Sequence, residues 1–85
     1  MQLPPIRQLQ YLVALKEKLH FGQAASALNV TQSTLSTGIR ELEKFLGITL
    51  VERTNKSVIF TNAGESTADR ARYIIMQAED LVSEA

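Results

Sequence analysis

Apolar positions recur along this chain at helical spacing in its first half and again at its end. Ile6, Leu9, Leu12, Val13 and Leu19 form one stripe, which predicts a helix over roughly 5–18. Pro4-Pro5 stands at its start, where proline is tolerated in a first turn. His20-Phe21-Gly22 breaks the pattern, and a short second helix follows over about 22–28, with Ala24, Ala25 and Leu28 on one side. Asn29 tolerates a left-handed backbone and suits a tight turn, with Val30 set to plug the core beneath it. Thr31 is a good N-cap for a third helix over 32–46. Leu35, Ile39, Leu42 and Leu46 mark its buried face, and Gly47 stops it.

Two β-branched apolar runs, 48–51 and 57–60, flank Thr54-Asn55-Lys56 and read as a β-hairpin. Thr61 is a second N-cap, with Glu65 in the following turn, where a negative charge meets the favourable end of the helix dipole. A long helix then runs over 62–85. Two helices meeting at a short turn, a further helix and a hairpin define a mainly α chain built as a winged helix-turn-helix.

That last helix carries two apolar rows. Ala68, Ala71, Ile75, Ala78, Val82 and Ala85 make a heptad-like seam, with Ile74 and Leu81 beside it. One helix cannot bury both rows alone. The expectation is that one row packs on the first helix and the other on a second copy of the chain, with Ala68, Ala71, Ile75, Ala78 and Val82 as the dimer residues. A single amphipathic helix within its own domain is the plainer alternative.

The third helix opens with short polar side chains rather than strong helix formers. Gln32, Ser33, Ser36 and Thr37 lie opposite its buried face, and Arg40 comes one turn later. In a helix-turn-helix this end of the second helix meets base edges, and Gln, Ser and Thr have the donors and acceptors to read them. Capping alone is the usual role of such a string. The Ala-rich helix before it, the tight turn and the hairpin after it favour double-stranded DNA reading in the major groove. Arg53 and Lys56 place positive charge on the wing, suited to backbone or minor-groove contact. Arg40 and Lys44 neighbour Glu41 and Glu43, and exposed helix pairs account for them equally well.

Composition narrows the classes. The 85 residues suit one small domain, and 45% hydrophobic content supports a core. No apolar run approaches a membrane span, the first residues have no secretory pattern, and there is no cysteine. A cytoplasmic location is expected. The net charge of zero argues at first against a nucleic-acid partner. The distribution reverses this, since residues 1–60 carry +3 and residues 61–85 carry −3. His20 has no second ligand in reach, and Ser33 and Ser36 have no base partner. No metal, cofactor or enzymatic activity is expected. A winged-helix module used only for protein contact is the alternative to DNA reading.

The stretch from Ile6 to Gly64 resembles the N-terminal domain of LysR-type transcriptional regulators. The matching marks are AAxxLxVTQSTLSxxIxxLE, then LGxxLxxR, then FTxxG. The resemblance implies a DNA-binding unit over 1–61 and a linker helix over 62–85 that pairs two subunits. It also implies an effector-binding domain beyond this chain, through which any small-molecule or redox effector acts, and it allows a tetramer of the full-length protein. By matching position, Gln32, Ser33 and Ser36 correspond to base-proximal residues, with Thr37 a neighbour. Thr31 and Thr34 correspond to phosphate contacts, and Arg53 and Lys56 to the two basic wing positions. Within the family, HFGQAA and TQSTLSTGIRELE look most like the OxyR-like branch. Two departures stand out: Ser33 replaces a common proline, and Thr37-Gly38 replaces a stretch that often holds a large polar residue. Fewer direct contacts are expected there, and a mid-helix glycine costs about 1 kcal/mol relative to alanine.

Overall fold

The computed structural model describes residues 1–54 and 57–85. Its elements are α1 (Ile6–Lys18), α2 (Phe21–Ala27), α3 (Gln32–Leu46), β1 (Val51–Arg53), β2 (Val58–Phe60) and α4 (Asn62–Glu84). Each predicted helix is present within a residue or two of its expected bounds. Side chains close the starts of α2, α3 and α4. His20 Nδ1 accepts from Gln23 N at 3.0 Å, Thr31 Oγ1 from Thr34 N at 3.1 Å, and Thr61 Oγ1 from Gly64 N at 2.9 Å. These bonds satisfy N–H groups that the first helical turn leaves orphaned. Asn29 and Gly47 take the expected left-handed backbone, with φ of 57° and 71°. Leu19 takes it too, at 51°, and ends α1 at a position with no glycine to signal the stop.

The core lies between α1, α2, α3 and the first half of α4. Leu12, Leu15, Leu35, Ile39, Leu42 and Leu50 are fully enclosed. Ala24 and Ala25 let α2 sit close against them, and each enclosed Leu or Ile contributes about 1.5–3 kcal/mol by leaving water.

Strand β1 begins later than the expected 48–51. In the register of the hairpin, residues 48–50 would face 61–63, which are the cap and first turn of α4, so they have no strand to pair with. Glu43 Oε2 on α3 instead accepts from Leu50 N at 2.8 Å and Val51 N at 3.2 Å. The carboxylate satisfies two backbone donors at the approach to the hairpin. Glu43 is therefore a structural acceptor rather than half of an exposed pair with Arg40 or Lys44. The hairpin then pairs antiparallel, with Val51 opposite Phe60, Glu52 opposite Ile59 and Arg53 opposite Val58.

On α4 the structure removes two residues, Ala68 and Ala71, from the expected dimer row. Ala68 and Ala71 are buried within this chain, and Ile75 is half-buried against the same core. Small residues there allow α4 to lie close on α1, so they have no surface left for a partner. Ala78 is half-buried, while Val82, Ile74 and Leu81 remain exposed.

Candidate nucleic-acid interface

The turn between α2 and α3 sets the angle at which α3 leaves the core. Val30 N bonds to Ala25 O at 3.0 Å across that turn, and Leu35, Ile39 and Leu42 hold α3 from beneath. The remaining sides of α3 are then fixed outward. Gln32, Ser33, Thr34 and Thr37 are exposed there, Ser36 is half-buried, and Arg40 is exposed a turn later.

These side chains divide into two groups. Gln32, Ser33 and Ser36 line a shallow recess together with Phe21 of α2 and Arg53 of β1. Thr34 and Thr37 face a second cleft with Arg7, Gln8 and Tyr11 of α1. Thr31 serves as the cap of α3, and its hydroxyl donates to Thr34 Oγ1 at 2.9 Å. That bond leaves the Thr34 hydroxyl hydrogen directed elsewhere, alongside the open N–H groups at the start of α3.

Arg53 does not stand at the wing tip as a free cation. Its Nη1 donates to Ser36 Oγ at 2.9 Å, and its guanidinium carbon lies 4.8 Å from the centre of the Phe21 ring. Partial burial, then the charge of Arg40, hold its pKa below the ordinary arginine value, with Glu43 opposing. Lys56, the other expected wing contact, and Asn55 lie outside the described residues.

Sequence reasoning missed Phe21 and Arg7. In the sequence Phe21 looks like part of a helix break, yet it is the first residue of α2 and forms one wall of the recess. Arg7 sits two residues into α1, and its charge is the only signal the sequence holds for it. Gly38 requires a correction. It is buried, and a Cβ there would overlap the Tyr11 ring. Position 38 faces α1 rather than the outer surface, so its glycine removes no candidate contact.

Two helices joined by a tight turn, with a polar outer face on the second and a hairpin folded against it, define a winged helix-turn-helix. Residues 6–65 match the family model described as "Bacterial regulatory helix-turn-helix protein, lysR family", and the chain belongs to that family. It is 54% identical over 80 residues to the HTH-type transcriptional regulator EstR of Acinetobacter baylyi, covering 94% of this chain and 27% of that protein. The oxidised OxyR of Corynebacterium glutamicum superposes with a TM-score of 0.94 at 37% identity, over 98% of this chain and 26% of the other. The crystal structure of a CbnR_DBD–DNA complex gives a TM-score of 0.90 at 31% identity, over 94% and 92%. EstR and the OxyR of Escherichia coli, 49% identical over 76 residues, are both described as transcriptional regulators. The chain spans about a quarter of the length of the curated relatives it matches. Among the described residues, no helix is long and apolar enough to cross a membrane.

Proposed function

We propose that this chain is the sequence-specific, double-stranded DNA-binding part of a cytoplasmic bacterial transcription regulator that acts as a homodimer. Residues 1–61 are the binding unit and 62–85 the linker and dimerisation helix. One observation carries the reading. Gln32, Ser33 and Ser36 line one outward recess at the N-terminal end of α3, beside the face that Leu35, Ile39 and Leu42 bury. A helix presented in that way fits the major groove, with amide and hydroxyl groups at base-edge height. Thr37 borders this face, while Thr34, Arg40 and the open end of α3 suit phosphate oxygens. The likeness to a DNA-bound structure that is nearly all domain supports the same reading. Effector response and assembly beyond the dimer belong to the rest of the full-length protein.

The test is discrimination between a duplex enriched by this chain from a random library and a scrambled duplex of equal composition. Gln32→Ala with Ser36→Ala should cost about 1–3 kcal/mol of that discrimination for each base edge that is no longer read. The secondary structure measured by circular dichroism should be unchanged. Equal affinity of the variant and the parent for the enriched duplex would remove Gln32 and Ser36 as base readers, and failure of the parent to enrich any duplex would favour a protein-contact module.

A further inference from the structure

Arg53 has the charge of a phosphate contact but the surroundings of a strut. It leaves β1 on the face opposite Glu52, because successive strand residues alternate. It crosses to α3, donates to Ser36 Oγ at 2.9 Å, and lies on Phe21 at 4.8 Å. Wing, recognition helix and the start of α2 therefore meet at one guanidinium. Among the described residues the ion pairs are Lys16–Glu65 and Glu17–Arg72, so no carboxylate holds Arg53 in an ion pair. The nearby charge of Arg40 opposes its own. The ring face and the hydroxyl hold it in place.

We infer that Arg53 is a positioning residue that sets base discrimination through Ser36, rather than chiefly a backbone contact. The inference rests on the DNA reading above. A serine hydroxyl has one hydrogen and two lone pairs. Arg53 takes one lone pair, and a charged donor polarises the oxygen so that its own hydrogen is a stronger donor. Among the described residues that hydrogen has no bonded acceptor. Ser36 is thus presented to the groove as a donor, suited to the acceptors N7, O6 or O4 on base edges. The stack on Phe21 needs a flat cation. Lysine keeps the charge but has neither the plane nor the fork.

Arg53→Lys separates the two roles. Its affinities for the enriched and scrambled duplexes would be measured across a salt series, with Ser36→Ala and the double variant alongside. A positioning role predicts that Arg53→Lys lowers discrimination roughly two- to tenfold, the range for one ordinary hydrogen bond. The salt slope stays that of the parent, and Arg53→Lys has no further effect once Ser36 is alanine. Phe21→Leu removes the ring while keeping both polar partners, and should lower discrimination without altering the slope. Thermal midpoints check that each variant is folded.

Unchanged discrimination in Arg53→Lys would overturn the inference, as would independent losses in the double variant. So would an equal loss on both duplexes in Arg53→Gln with a slope smaller by about one phosphate contact. Failure of the parent chain to enrich any sequence is a separate result. It overturns the DNA reading, and this inference with it.

Discussion

Gly38 shows how much one residue depends on its neighbour across the core. In the sequence it looks like a weakness, a poor helix former where a larger residue could carry a side chain to DNA. In the fold it is the point where the Tyr11 ring of α1 meets the backbone of α3. Helical periodicity placed Leu35, Ile39 and Leu42 correctly. It could not reveal that position 38 shares their side, because glycine contributes nothing to a hydrophobic pattern. Gly38→Ala gains about 1 kcal/mol of helix propensity. It loses more to the overlap with Tyr11, since overpacking costs about 1–3 kcal/mol. The expected result is a net destabilisation of up to about 2 kcal/mol in urea unfolding, recovered largely when Tyr11→Leu is added. A variant more stable than the parent would mean that the ring moves freely and the contact is incidental. Ser36 and Arg53 show a related limit. Each was legible as a candidate site residue, but the bond between them spans 17 positions and no local pattern encodes it.

Element boundaries were most legible where the backbone itself demands a residue type. Thr31, Asn29, Gly47 and Thr61 marked ends that the structure reproduces, because caps and left-handed turns have strong chemical preferences. The wing was less legible. Its first strand begins only at Val51, because the positions opposite 48–50 already belong to the start of α4. The approach to it is held by Glu43, a residue on another element that reads locally as an ordinary exposed helix position. That carboxylate is the link between α3 and the approach to the hairpin, and it holds the wing against the recognition helix from the side opposite the tight turn. Glu43→Ala leaves two backbone N–H groups without their acceptor. The expected cost is about 1–3 kcal/mol, the penalty for stranding partly buried donors. Glu43→Gln keeps an oxygen acceptor and should cost less. Amide exchange at Leu50 and Val51 would locate the effect, with faster exchange expected in Glu43→Ala. Unchanged exchange at both would show that the strand start is held by other contacts.

Viewed as a whole, the molecule is elongated, 44 Å in its longest dimension, because α4 continues past the core that the other helices build. Its 23 residues rise about 34 Å, and the half beyond Ile75 finds little of its own chain to cover it. The two apolar rows of α4 were legible from spacing alone. Which row turns inward was not, because a period states that residues share a face but not what that face meets. Ala68, Ala71 and Ile75 of the first row pack on this chain, whereas Ile74 and Leu81 of the second are 43% and 72% exposed, and Val82, at the far end of the first row, is 77% exposed. Ile74 also borders an apolar groove formed with Leu3, Pro4, Ile6, Leu9 and Leu46. For the proposed homodimer, the exposed row is the surface that a second copy would cover. Burying a leucine side chain is worth about 1.5–3 kcal/mol, and a two-fold interface counts each substitution twice. Leu81→Glu should therefore raise the dimer dissociation constant by roughly two orders of magnitude or more while leaving the helical signal intact. Ile75→Glu should act differently, lowering the thermal midpoint because it places a carboxylate against the chain's own core. Sedimentation equilibrium and thermal unfolding on the two variants give opposite signatures. A dimer that survives Leu81→Glu but is dispersed by Ile75→Glu, with the fold retained, would return the seam to the row that the heptad spacing suggests.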